Sequence, residues 1–158
     1  MIVNDPSVDR LKSEVARRFA VAAATVRTVF SPYRICPLGA HIDHQLGPVT
    51  AMAIDRGVML AYAPSGSREV HLSSLAFSGN VAFDLDAVPD RREGDWGNFP
   101  RGAVRALQRE HRLRTGIVGV TSGQLGEGGL SSSAAIGVAY LLAFEEANEL
   151  EVTAADNI

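Results

Sequence analysis

The alternation of apolar and polar positions divides the chain into short elements of two periods. Val8, Leu11, Val15 and Phe19 recur every three or four residues behind Asp5-Pro6-Ser7. That spacing predicts a helix to about Ala24 with one apolar stripe, opened by a capping residue and a first-turn proline. Val26 to Phe30 reads as a strand. Val49–Ile54 and Val58–Ala63 read as strands joined by an Asp55-Arg56-Gly57 turn, a hairpin signal. Pro64-Ser65-Gly66-Ser67 makes a second turn. Glu69–Leu75 and Asn80–Leu85 form another strand pair, so the expected block from Val49 to Leu85 is an antiparallel meander.

Pro89 to Gly94 is a polar loop. Trp96-Gly97-Asn98-Phe99-Pro100 then leads into a helix from about Arg101 to His111, with Ala103, Val104 and Leu107 facing inward. Thr115 to Thr121 reads as a strand that runs into Gly126-Glu127-Gly128-Gly129-Leu130-Ser131-Ser132-Ser133-Ala134-Ala135. Behind this loop Ile136 to Phe144 is apolar on nearly every side, the pattern of a buried helix. Thr153 opens what reads as one more helix, which the sequence does not complete.

Composition narrows the class. The chain has 158 residues, 46% of them apolar and 21% charged, with a net charge of -3. That is enough chain for one domain with a core. The acidic balance does not indicate a nucleic-acid-binding face. The apolar run from Ile136 to Phe144 is too short to span a bilayer, and no apolar leader precedes the first helix. A soluble, cytoplasmic protein without nucleic-acid or membrane partners is the expectation. Cys36 is the only cysteine, so an internal disulfide framework is excluded. Lys12 is the only lysine, which leaves arginine as the chain's cation.

Two stretches carry candidate chemistry. Strand, glycine loop and buried helix in that order bring unpaired backbone N–H groups and a positive dipole end to one point, where phosphate binds. The plain alternative is a turn whose serine caps a helix. The loop is not a Walker A sequence, because no Gly-Lys-Ser/Thr follows the glycines. The second stretch, Ser31-Pro32-Tyr33-Arg34-Ile35-Cys36-Pro37-Leu38-Gly39-Ala40-His41-Ile42-Asp43-His44-Gln45, departs from simple periodicity and concentrates polar side chains, as binding loops do. Singly, each has a structural alternative: Arg34 a surface residue, His41 a buried histidine, Asp43 a turn former. The spacing His41-Ile42-Asp43-His44 suits neither a helical zinc pair nor a Cys/His site. Trp96, the only tryptophan, is either core or a flat platform for a base.

Taken together these stretches resemble a known family. Ser31 to Gln45 resembles the signature of galactokinase-type sugar kinases in the GHMP superfamily, and looks most like its plant galacturonokinase branch. Gly126 to Ala135 resembles the superfamily's glycine-serine nucleotide loop, and Trp96 to Gly102 the segment between them. The two main motifs lie about ninety residues apart in the family's order. The resemblance implies an α+β fold, the ribosomal S5 domain 2-like amino-terminal domain of GHMP kinases, with an antiparallel or mixed sheet packed on helices. Residues 1–24 would be an amino-terminal helix, and 25–158 that domain without the catalytic aspartate and carboxy-terminal domain that follow in the family.

The implied activity is ATP-dependent phosphorylation of a sugar's anomeric hydroxyl, with Mg2+. By match to the motif, Arg34 lies beside the reacting hydroxyl and stabilises transferring charge. His41 and Asp43 bind the sugar. Gly126, Gly128, Gly129, Leu130, Ser131, Ser132, Ser133 and Ala134 form the phosphate loop, with Ser133 also at the magnesium position and Trp96 near adenine. Galactokinases carry glutamate, which contacts the C6 hydroxyl, where this chain has Ala40. Against a uronic acid's C6 carboxylate, a glutamate about 4 Å away would cost roughly 4 kcal/mol at an effective dielectric near 20. Ala40 therefore favours D-galacturonate, giving galacturonate 1-phosphate. On this reading the chain alone is expected to be inactive. The alternatives are galactokinase proper, a non-catalytic relative that binds sugar or nucleotide, and a structural domain whose serines only cap a helix.

Overall fold

A computed structural model describes residues 6–39, 43–123, 130–155 and 157, with the backbone alone for Pro6 and Asp43. Helix α1 (Pro6–Phe19) is followed by strand β1 (Arg27–Ile35), β2 (Met52–Pro64), β3 (Glu69–Ser74) and β4 (Asn80–Asp84), then α2 (Asn98–Leu107), β5 (Ile117–Ser122) and α3 (Ser132–Ala147). The strands form one sheet in the order β1-β2-β5-β3-β4. All pairs are antiparallel except β3 with β5, which is parallel. The fold is therefore α+β with a mixed sheet, as the resemblance implied.

Helices cover both faces. On one, Val58, Leu60 and Tyr62 of β2 meet Ala103, Val104 and Leu107 of α2 and Ile136, Tyr140 and Phe144 of α3. On the other, Leu11 and Val15 of α1 meet Ala61 and Val120. Alternate residues of β2 thus serve opposite cores, as the two-residue period of a strand requires. The predicted stripe of α1 is real, although the helix stops at Phe19. Ala20 closes it in the left-handed conformation (φ 53°), which ends the regular hydrogen-bonding pattern.

Five expectations need correction. Asp55-Arg56-Gly57 is not a hairpin turn, because β2 runs unbroken through it. Pro32 pairs with Gly57 and Arg34 with Ala53, so a single residue of β1, Tyr33, faces three of β2. The polar triplet marks a β-bulge, which shares turn residues with a hairpin but keeps the strand going. Gly57 is needed there for space, since a Cβ would stand 2.2 Å from Ser31 O. The meander is also interrupted: β3 and β4 pair as expected, but β5 inserts between β2 and β3. Finally, β1 extends through Pro32, Tyr33 and Arg34 to Ile35, beyond the expected end at Phe30, and residues 151–155 form no helix. The helix that follows Trp96, α2, begins at Asn98, three residues earlier than its pattern indicated.

Candidate functional site

The extension of β1 positions the site. Along it Ser31 and Tyr33 are buried while Pro32 and Arg34 are exposed. The alternation that sinks the Tyr33 ring into the core, at 5% exposure, presents the Arg34 side chain to solvent. Beyond Ile35 the chain is held by a short ladder: Leu38 N–H donates to Thr50 Oγ1 (3.0 Å) and Thr50 N–H to Leu38 O (3.0 Å). Asp43–Gln45 is a single 3-10 turn. Ala40 and His41 lie outside the described residues, as does the Asp43 side chain.

The second half comes from α3. Gly126, Gly128 and Gly129 lie outside the described residues, and the description resumes at Leu130, half-buried against the main core. Ser131 then adopts a left-handed conformation (φ 51°, ψ 37°) and makes no side-chain capping bond. The conventional serine cap is therefore not what this residue provides. A non-glycine residue in this region costs about 1 kcal/mol, and such strain is concentrated at functional sites. The first turn of α3 carries no acidic side chain. Its amides, which have no partner within the helix by geometry, stand with the positive dipole end beside the hydroxyls of half-buried Ser132 and exposed Ser133. Ala134 is exposed and adds no bulk beyond a methyl group.

The two halves meet through one backbone contact. Arg34 N–H donates to Leu130 O at 3.1 Å, one residue before Ser131. A strand end rich in signature residues and the mouth of α3 are thus joined, although about ninety residues separate the two motifs in sequence.

Trp96 stands differently. It is 9% exposed, packs in the main core and donates its indole N–H to Ser78 O at 3.3 Å. Of its two alternatives, burial supports the core residue. Neighbouring Arg101 is buried and pairs with Asp95 at 2.7 Å. That guanidinium, with the Gly97 N–H, holds the Asp95 carboxyl below the usual aspartate range. Helix α3 is not enclosed all round either: Val138 and Leu142 are 38% and 37% exposed, because sheet and α2 cover only part of its circumference.

Several engaged polar groups carry no periodic signal in sequence. Thr121 and Tyr140 share a buried hydroxyl bond at 2.6 Å that ties β5 to α3, and burial raises the Tyr140 phenol pKa. Glu146 accepts from the Tyr62 hydroxyl and pairs with Arg27 at 3.3 Å. Glu145 is buried, with its Oε1 lacking a partner among the described residues. These acids sit at the end of α3 away from its mouth.

Comparison with known proteins follows the same outline. Residues 16–64 match the galactokinase galactose-binding signature. A galacturonokinase of Arabidopsis thaliana is 45% identical over 98% of this chain and 41% of its own length. The crystal structure of Lactococcus lactis galactokinase complexed with galactose matches at TM-score 0.88 and 26% identity, over 96% of this chain and 40% of that one. By sequence and by fold, the chain is galactokinase-like. A galactokinase of Thermococcus kodakarensis is 35% identical over 81% of the galactokinase-like chain and 36% of its own length. Methanococcus jannaschii mevalonate kinase shares the fold, at TM-score 0.70 and 18% identity over 83% of this chain. The chain spans roughly two fifths or less of the length of these curated relatives, 41% and 36%.

Proposed function

We propose that the protein is an ATP-dependent sugar 1-kinase whose sugar is D-galacturonate, and that this chain supplies its sugar- and nucleotide-holding surfaces. The observation that carries the reading is the bond from Arg34 N–H to Leu130 O. It sets an exposed arginine beside a helix mouth suited to phosphate. Phosphoryl transfer depends mainly on positioning and on stabilising negative charge spread over the moving group. First-turn amides of α3 and the Ser131 to Ser133 hydroxyls would hold the nucleotide phosphates, and Arg34 would meet the developing charge. Asp43 and His41 would orient the sugar through its hydroxyls.

The residues also suit a magnesium ion. No group of three His, Cys, Asp or Glu that could hold a metal occurs among the described residues. A hard ion that keeps several waters and binds mainly through nucleotide phosphates needs no such cage. Ser133, exposed in the first turn of α3, offers one hydroxyl oxygen as ligand. When bound, the ion would supply charge neutralisation on the phosphates.

The choice of sugar rests on Ala40 and on similarity to the Arabidopsis galacturonokinase. The galactose-binding signature and the Thermococcus galactokinase favour galactose as the second reading. The two are separated by transfer assays on the full-length protein with galacturonate, galactose and glucuronate, following 1-phosphate product by phosphorus NMR. Galacturonate is expected to be preferred, and Ala40→Glu to lower its kcat/KM by about 10³, the factor matching roughly 4 kcal/mol. Equal turnover of galactose, or kinetics unmoved by Ala40→Glu, would remove the uronate assignment. A cytoplasmic location accompanies this reading.

A further inference from the structure

The end of α3 away from its mouth adjoins a second charged surface. Asn148 closes that helix and turns its side-chain amide on the chain ahead of β5. Its Oδ1 accepts from Arg114 N–H at 2.6 Å and from Thr115 N–H at 3.0 Å, and its Nδ2 donates to Thr115 O at 3.0 Å. Leu113 is fully buried, and Gln108 Nε2 donates to Leu85 O at 2.7 Å. The stretch from Gln108 to Thr115 is thus pinned at both ends and near its middle. From it Arg109, Arg112 and Arg114 project, all exposed. None of the three has a side-chain hydrogen bond or ion pair among the described residues.

Two cavities, of about 590 and 630 Å³, open on this stretch and share Arg68, Glu110, His111 and Arg112 as a common wall. Both volumes fall in the range of small-molecule sites. Arg68 is the fixed member. Its guanidinium takes both carboxylate oxygens of Asp86 and donates to Leu113 O at 2.9 Å. A guanidinium has five N–H donors, so these three bonds leave others for a ligand. With Asp86 committed to Arg68, the unpaired charges on the lining are Arg109, Arg112 and Arg114 against Glu110 and Glu149. The cleft therefore carries a positive excess in a chain whose net charge is -3.

We infer that this cleft binds a small phosphorylated anion with two or more negative charges, at a site separate from the α3 mouth. Helix α3 has 16 residues, so at 1.5 Å per residue its two ends lie about 24 Å apart. Planar guanidinium forks match the oxygens of a phosphate in pairs. Arginines on an anchored backbone meet such a ligand at lower ordering cost than arginines on a mobile one. Enclosing walls suit a small molecule better than an extended acidic segment. The inference stands apart from the kinase reading, and neither depends on the other.

The test titrates inorganic diphosphate into the full-length protein by calorimetry. The wild type is expected to bind it with a Kd below about 1 mM. Arg112→Gln removes the arginine common to both cavities and should weaken binding at least about tenfold, as for loss of a charge-assisted bond. Arg91→Gln removes the same charge from an exposed residue outside the cleft, and should leave the affinity unchanged. Both side chains are exposed, so both variants should melt as the wild type does. Hydrogen exchange with diphosphate bound should slow at Arg114 and Thr115, whose amides Asn148 holds. ADP and galactose 1-phosphate, titrated likewise, separate a nucleotide from a sugar phosphate as the source; binding of either that Arg112→Gln weakens supports the same site. Affinity unmoved by Arg112→Gln, an equal loss in Arg91→Gln, protection confined to the first turn of α3, or no binding at all overturns the inference.

Discussion

Arg34 and Arg101 show how one residue type serves two ends. Arg34 is exposed at the close of β1, whereas Arg101 is buried against Asp95 at 2.7 Å. On the proposed kinase reading, replacing Arg34 with alanine in the full-length protein should lower kcat by 10² to 10³, about 3–4 kcal/mol of barrier, as for loss of one well-aimed donor. Because the side chain is exposed, melting should hardly change. An unaltered rate in an ADP-release assay would take Arg34 out of the transfer step. Asp95→Asn should instead cost stability, about 2 kcal/mol, below the ~3–5 typical of a fully buried pair, because its carboxylate is about a quarter exposed. The folded state depresses the Asp95 pKa. The pair's stabilisation is therefore complete above the ordinary aspartate value near 4 and is lost as pH falls through the lower folded value. Melting temperature followed from pH 6 to pH 3 should fall more steeply for the wild type than for Asp95→Asn. Parallel curves would show that the pair does not drive acid sensitivity.

At the scale of elements, α3 combines a strained entrance with a well-anchored body. Ser131 holds φ 51° without a capping bond. Ser131→Gly should therefore raise stability in chemical denaturation by up to about 1 kcal/mol, because glycine enters this conformation freely. A serine that served as an ordinary cap would give the opposite sign or no gain. On the proposed kinase reading, nucleotide affinity should fall in the same variant, since the hydroxyl and the fixed entrance are both lost. The body of α3 is tied to β5 by the Thr121–Tyr140 bond at 2.6 Å. Tyr140→Phe leaves the Thr121 hydroxyl buried without that partner, and should cost about 1–2 kcal/mol in the same measurement. The apolar pattern of this helix was legible from sequence, and so were the α1 stripe and the β3–β4 pair. The β2 bulge was not, because Asp, Arg and Gly serve a turn and a bulge equally well. Only the presence of β1 alongside, with Ser31 O where a Cβ on residue 57 would sit, decides between them.

For the whole molecule, the sheet and its two helical layers are expected to unfold together. Phe144 is fully buried where α3 meets the sheet and α2. Phe144→Ala should destabilise the protein by about 3–5 kcal/mol. Far-ultraviolet circular dichroism and fluorescence of Trp96, which lies in the same core, should shift together. Transitions that separate would show that the α2 end and the α3 end melt independently. This scale also explains why a site can be built from distant motifs. β5 enters the sheet between β2 and β3, and Leu130, eight residues beyond its last residue Ser122, bonds Arg34 near the end of β1.

Sequence alone determined what local chemistry can specify: periodicities of two and of three to four residues, the glycine-serine stretch ahead of an apolar helix, and the cluster from Arg34 to Asp43 with its family resemblance. It could not settle whether Trp96 was core or platform, since an aromatic ring suits both until neighbours bury it. Nor could it show that the Arg34 N–H bonds Leu130 O across the residues that separate the two motifs. Those outcomes belong to tertiary structure, because they depend on which strands become neighbours, and the pairing of β5 between β2 and β3 joins residues that no local pattern relates.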